Sequence, residues 1–140
     1  MNAIPRSLII FGRIALLLVW IYEGLIAKLG GQRADEQGIA EAVPLLPDHL
    51  AGLALRALGG YEVLLGVWVL IGLLPRIAAT LQTLTLIAVS STGLLFGREQ
   101  IGEPLDLVIK NLALIALVWL VAAAASVRTD SVRDREPADG

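Results

Sequence analysis

The sequence predicts an all-α integral membrane protein, folded as a bundle of four spanning helices. First, the chain is 56% hydrophobic and has a mean hydropathy of +0.76, which is too apolar for a soluble domain. Second, it contains four apolar runs near the length of about 20 residues that crosses a hydrocarbon core roughly 30 Å thick. Third, a very short turn at residues 74–76 separates the second run from the third. Those two helices are therefore predicted to be antiparallel neighbours.

The four spans can be bounded from local signals. Gly30 and Gly31 end the first span, because glycine removes the steric barrier to the left-handed turn at a helix terminus. A long polar loop follows, and Asp48 is a candidate N-cap for a short helix over 50–58 that can lie at the membrane interface. Pro104 suits the first turn of the last span. The predicted spans are 7–29, 58–74, 77–96 and 104–125.

The distribution of basic residues predicts the orientation. With the N-terminus in the cytoplasm, six basic residues lie near the inner helix ends and five near the outer ends. The outer loops also contain six acidic residues, several of them close to the outer basic ones. We therefore expect both termini in the cytoplasm. The membrane domain is predicted over 1–127, and the charged tail over 128–140 is predicted to be disordered.

The composition excludes several classes of function. A net charge of −2 gives no basic excess of the kind that binds nucleic acid. The chain has no cysteine and a single histidine, His49, so it lacks the ligands for a thiol, iron–sulfur or bis-histidine haem centre. We expect no metal site and no covalently held cofactor. No nucleophile–base constellation is recognisable, so an enzyme that acts alone is not predicted.

In the predicted topology, polar side chains of three spans fall at one membrane depth, near the outer surface. An ionisable group inside a span costs about 2.5–3.5 kcal/mol on insertion, so such groups usually face the bundle interior and pair. Asp106 and Lys110 are one helical turn apart, and the two glutamates would share the remaining cations. The predicted cluster consists of Glu23, Lys28, Glu62, Asp106, Lys110 and Asn111.

Three interpretations of this cluster stay open at the level of sequence. It can be a structural ion-pair network, a pocket for a polar head such as that of a quinone or lipid, or a proton or ion path. Trp20 and Trp68 lie inside the spans rather than at the ends, so they can stack on a quinone ring or simply pack. Arg13 is expected to extend its side chain to the cytoplasmic interface.

Three stretches of the sequence resemble a known family. They are RIALLLVWIYEGLIAKL from Arg13, GGYEVLLGVWVLIGLLPRIAA from Gly59, and KNLALIA from Lys110. In this order they resemble the DoxX-like family of small four-helix integral membrane proteins, over nearly the whole chain from Arg13 to about Ala125. The long first loop and Tyr22-Glu23-Gly24 look closest to a DoxX-like subgroup of that family.

The resemblance implies a multi-pass protein of the prokaryotic cytoplasmic membrane. The founding members are small subunits of a membrane thiosulfate:quinone oxidoreductase, so the implied partners are redox-complex subunits, with a quinone or lipid as ligand. The predicted function is an accessory or anchor subunit of a quinone-linked oxidoreductase complex. The alternative is a stand-alone carrier of a small lipid-like molecule. By motif position, the resemblance assigns functional roles to Glu23, Lys28, Glu62, Lys110 and Asn111.

Overall fold

The computed structural model describes residues 4–30, 34–44, 46–99 and 101–133, and the regular secondary structure in these ranges is helical throughout. Four helical segments are long and apolar enough to cross a membrane, the first of them α1 together with the π-helix that follows it, which confirms the predicted number of spans. In chain order the elements are α1 (Arg6–Ile21), a π-helix (Tyr22–Leu29), α2 (Ala34–Glu41), α3 (Asp48–Ile71), α4 (Pro75–Phe96) and α5 (Pro104–Arg133).

Helix α1 has a buried face and an exposed face, although its sequence is almost uniformly apolar. It begins directly after Pro5, whose carbonyl accepts hydrogen bonds from the amides of Leu8 and Ile9. The buried residues recur every three or four positions and include Leu16 and Trp20. Phe11 and Leu18, on the other side, are more than 60% exposed. An apolar surface of this extent suits contact with lipid.

The bundle consists of two pairs of helices. Helix α1 and the π-helix pack mainly against α3, and α4 packs mainly against α5. Contacts between α1 and α5 join the two pairs. Small residues allow close approach where the pairs meet. The core there consists of Leu16, Val69, Ala78, Ala79, Val118 and Ala122.

The helices alternate in direction, so the bundle has two distinct ends. One end, which we call the Arg13 end, contains the start of α1, the turn between α3 and α4, and the last part of α5. Gly72 and Leu74 reverse the chain there with φ angles of 79° and 48°. The other end, the Lys28 end, contains the π-helix, α2 and the first turns of α3. Which end faces the cytoplasm stays a prediction.

The helix bounds correct parts of the sequence prediction. Helix α3 begins at Asp48, so the expected interfacial segment 50–58 is continuous with the second span. The chain from Asp48 to Leu74 contains no proline, so nothing breaks the helix there. The polar loop instead contains α2. Helix α5 continues through residues 128–133 of the expected tail, because neither glycine nor proline interrupts it. Residues 134–140 lie outside the described part of the chain.

Candidate functional site

The π-helix places two charged residues on one face. In an α-helix with 3.6 residues per turn, Glu23 and Lys28 would point roughly 140° apart. Hydrogen bonds from residue i to i+5 widen the turn, as in the bond from the Gly30 amide to the Leu25 carbonyl at 2.8 Å. Residues five apart then lie closer to the same side of the helix than they would in an α-helix. The Lys28 ammonium consequently lies 3.7 Å from the Glu23 carboxylate and 3.4 Å from its backbone carbonyl oxygen.

Lys28 is the centre of a buried ion-pair cluster. Its Nζ lies 2.9 Å from Oε2 of Glu62 in α3 and 3.3 Å from Oε2 of Glu36 in α2. Carboxylates from three segments of the chain therefore surround one ammonium. We call Glu23, Lys28, Glu36 and Glu62 the Lys28 cluster. The side chains of Lys28 and Glu62 are 3% and 2% exposed, whereas that of Glu23 is 34% exposed. The cluster is thus most accessible at Glu23.

Close approach of two helices makes the contact between Lys28 and Glu62 short. A Cβ atom on Gly24 would lie 2.5 Å from the Gly59 carbonyl oxygen, and one on Gly59 would lie 2.6 Å from the Gly24 oxygen. The two backbones therefore touch at a crossing that only glycine allows. Glu62 is one turn beyond Gly59 on α3. Because of this crossing, the Cβ atom of Lys28 lies directly against α3.

Helix α2 covers the cluster from the loop side. Glu36 points to Lys28, and Ile39 packs against Gly97 and Gly93 at the end of α4. Gln37 donates a hydrogen bond to the Glu41 carboxylate at 2.9 Å on the exposed face of the helix. Helix α2 is therefore held by an ion pair to the π-helix and by an apolar contact to α4, in addition to its packing against α3.

The arrangement provides both kinds of hydrogen-bonding group. The lysine ammonium only donates, and ionised carboxylates only accept. Burial strengthens these bonds, because the local dielectric is low and water does not compete. Within the described ranges, no group of three or more His, Cys, Asp or Glu is placed to hold a metal ion. At Glu23, its most exposed member, the cluster presents a hydrogen-bond acceptor to the outside, and the Lys28 ammonium lies behind it.

The structure divides the six residues predicted as one cluster into two groups. Glu23, Lys28 and Glu62 lie together. Asp106 and Lys110 pair with each other on α5, with side chains 49% and 70% exposed. The third member of the second group, Asn111, donates a hydrogen bond to the Ser90 hydroxyl of α4. This second group packs on α4 and α5 rather than on the π-helix.

The two candidate stacking residues have partners inside the bundle. Trp20 is 3% exposed, and its indole N–H donates to Oε1 of Gln82 at 2.9 Å. The Trp68 indole donates to the Leu73 carbonyl at 2.8 Å. Trp20 thus connects α1 to α4, and Trp68 connects the end of α3 to its turn. Both indole N–H groups stabilise the bundle itself.

Sequence reasoning missed Glu36 and the glycine crossing. Glu36 belongs to a stretch that we took for an aqueous loop. Glu36 and Ile39 are three residues apart and face the bundle, whereas Gln37 between them is exposed, but this pattern is too short to identify a helix from the sequence. On α3, Gly59 faces the π-helix and Gly66, seven residues later, faces α1. A spacing of seven keeps residues on one helix face.

Comparison with known proteins gives one match. The model of the DoxX-like family matches residues 17–119, a range that contains every member of the Lys28 cluster and also the pair on α5. No curated protein and no solved structure matches the chain.

Proposed function

We propose, on the premise that the chain belongs to the DoxX-like family, that it is a small accessory or anchor subunit of a membrane redox complex. The Lys28 cluster is its candidate site for the polar head of a quinone or a similar amphipathic ligand. The observation that carries this proposal is a buried ammonium enclosed by carboxylates from three segments, with the outermost carboxylate, Glu23, partly exposed. The redox context comes from the family resemblance.

The chemistry of the cluster suits a quinone. The oxidised form presents carbonyl oxygens, which accept hydrogen bonds; one that displaces the Glu23 carboxylate, the longest of the three carboxylate contacts at 3.7 Å, would accept from the Lys28 ammonium. The reduced form presents hydroxyl groups, which donate, and the carboxylates of Glu23, Glu36 and Glu62 are acceptors. One site can therefore bind both redox forms. A subunit that receives quinone for a catalytic partner needs this property.

The surface beside the cluster suits an apolar tail. The exposed face of the π-helix contains large hydrophobic side chains that are 38–51% exposed. They adjoin Glu23, the accessible edge of the cluster, along the same helix. A ligand with its head at Glu23 can therefore leave its tail in the lipid. These side chains are Tyr22, Leu25, Ile26 and Leu29.

The test is native mass spectrometry of the tagged protein, extracted from its own membrane in mild detergent. The proposal expects co-purifying protein subunits that form a stoichiometric complex. A bound small molecule without a protein partner would instead indicate the stand-alone carrier. A bare chain, or a bare homo-oligomer, from a membrane in which the gene is expressed at its natural level would contradict both functions.

The substitution Glu62→Gln tests the site itself. Removing one partner of a buried ion pair costs about 3–5 kcal/mol when it leaves the other charge alone. Here Glu36 and Glu23 remain within 4 Å of Lys28, so we expect a smaller loss of unfolding free energy, together with loss of any bound ligand. The matched control is Glu41→Gln, which neutralises an exposed carboxylate on α2 and should change stability by less than about 0.5 kcal/mol.

The two measurements separate the site from a merely structural network. If Glu62→Gln lowers stability but retains the ligand, the cluster has a structural role only, which contradicts its role as the binding site. Equal stability and equal ligand retention in Glu62→Gln and Glu41→Gln would contradict both roles.

A further inference from the structure

A small cavity lies at the Arg13 end, opposite to the Lys28 cluster. Its volume is about 20 Å³, and it is partly open to the outside. Residues of α1, of the turn after α3, of α4 and of α5 form its walls, which are mostly apolar. Arg13 and Gln82 are its polar lining residues. A space of this size accepts one water-sized group, such as a single oxygen atom of a larger ligand.

The guanidinium of Arg13 lies flat against Gly72 in this cavity. A Cβ atom on Gly72 would overlap the guanidinium carbon and both terminal nitrogens. Gly72 also has a φ of 79°, in the left-handed region that disfavours side chains. Glycine at this position therefore allows both the reversal of the chain and the close contact with the Arg13 guanidinium. Contact with Gly72 fixes the plane of the guanidinium beside the cavity.

Arg13 is the polar group of the cavity that is left to bind a ligand. Gln82 uses its amide within the bundle, since Oε1 accepts from Trp20 and Nε2 donates to the Ala78 carbonyl. Among the residues that the structure describes, Arg13 has neither a hydrogen bond nor an ion pair. A guanidinium has five N–H donors. The helix dipole at the C-terminal end of α3 favours the Arg13 cation beside it, but a dipole is not a charged partner.

The charges around the cavity favour an anion. Arg6 and Arg76 are exposed at the same end of the bundle. The acidic side chains that the structure describes lie on the π-helix, on α2, at Glu62 of α3 where it meets Lys28, and around the loop before α5, towards the other end. An anion that reaches Arg13 therefore meets only attraction from the described side chains. Basic pockets between membrane helices bind anionic headgroups in this way.

We propose that this cavity is a binding site for a phosphate group, with one phosphate oxygen inside it and the guanidinium of Arg13 as its partner. Guanidinium and phosphate match in a planar, two-pronged geometry that gives strong charge-assisted hydrogen bonds. Leu73, Leu74 and Ile77, each at least 50% exposed, lie beside the opening and suit the acyl chains of a phospholipid. The site is independent of the Lys28 cluster and of the function proposed for it.

The test uses the purified full chain in a neutral detergent. Native mass spectrometry with titration measures the affinity for phosphatidylglycerol, for phosphatidylcholine and for inorganic phosphate. We expect the wild type to bind phosphatidylglycerol at least about tenfold more tightly than phosphatidylcholine, and Arg13→Gln to lose this preference. The control Arg76→Gln removes an exposed cation from the same end and should retain it. Competition by inorganic phosphate at equal concentration would assign the site to free phosphate rather than to a lipid headgroup.

Two results would overturn the proposal. One is a wild type that binds neither phosphatidylglycerol nor inorganic phosphate better than phosphatidylcholine, and this result requires no variant. The other is an Arg13→Gln variant with the same preference as the wild type. Should Arg13→Gln fail to fold, Arg13→Lys keeps the charge and loses the planar fork, so it should retain attraction but bind phosphatidylglycerol more weakly than the wild type.

Discussion

The crossing of the π-helix and α3 can be tested with two adjacent glycines. Gly59 and Gly60 are both helical, and alanine at either position gains the same helix propensity, about 0.5–1 kcal/mol. Their surroundings differ. A Cβ on Gly59 would lie 2.6 Å from the Gly24 oxygen and 3.0 Å from the Lys28 Cβ, whereas a Cβ on Gly60 meets no atom of the described chain within 4 Å. Gly60→Ala is therefore the matched control for Gly59→Ala.

The magnitude follows from this geometry. Ordinary contact begins near 3.4 Å, so Gly59→Ala requires the two backbones to move apart by about 0.8 Å, and a backbone carbonyl cannot rotate away. Overpacking of this kind costs about 1–3 kcal/mol. The same movement lengthens the 2.9 Å contact between Lys28 and Glu62 beyond good hydrogen-bonding distance. Because the propensity gain is common to both variants, Gly59→Ala should be less stable than Gly60→Ala by about 1–3 kcal/mol.

The assay is unfolding with sodium dodecyl sulfate in mixed micelles, followed by fluorescence of the three tryptophans. Gly60→Ala should be as stable as the wild type or more stable by up to about 1 kcal/mol. Gly59→Ala should unfold at a lower fraction of the denaturing detergent. Equal stability of the two variants would refute the close crossing, because nothing else in their surroundings predicts a difference.

Two further substitutions test other contacts. Trp20→Phe removes the donor to a buried Gln82 oxygen, so we expect a loss of about 1–3 kcal/mol in the same assay. Trp119→Phe, at an exposed indole bonded to Thr83, should cost less, and the reverse order would contradict the buried bridge. Ile39→Ala removes the contact of α2 with Gly97. It should speed amide hydrogen exchange in α2 but not in α4, with Gln37→Ala on the exposed face as the control; unchanged exchange would show that α2 is fixed by other contacts.

The position of each residue along its helix could be predicted from the sequence, but whether its side chain faces the bundle or the lipid could not. Hydropathy and length give the four spans, and a rise of 1.5 Å per residue then gives the depth of each side chain. The prediction that Glu62 and Asp106 lie at one membrane depth rests on this rise. In a membrane, however, lipid and core are both apolar, so the hydrophobic pattern does not reveal which face is buried. Asp106 consequently turned out to be exposed on α5, whereas Glu62 is buried.

The remaining parts of the site could not be predicted for local reasons. A spacing of five between Glu23 and Lys28 argues against a shared face in an α-helix, and no residue type marks the change to i+5 hydrogen bonding. Helix α2 has only eight residues, too few for a periodic pattern to stand out, and an isolated helix of this length is not stable in water. It is held in place by its packing against α3 and by the contacts of Glu36 and Ile39. Its position therefore depends on tertiary contacts that the sequence does not display.

The two ends of the bundle differ in whether described acidic side chains neutralise the basic ones, and this difference supports the predicted orientation. At the Lys28 end, carboxylates of the chain itself surround the buried cation. At the Arg13 end, the described charged side chains are all basic, and Arg13 has no partner among the described residues. An unbalanced basic end is stabilised by the anionic lipids of the cytoplasmic leaflet, to which basic residues near helix ends are normally directed. A phosphate at Arg13 would thus supply a counter-charge that the described side chains do not, and we expect the Arg13 end, with both chain termini, to face the cytoplasm.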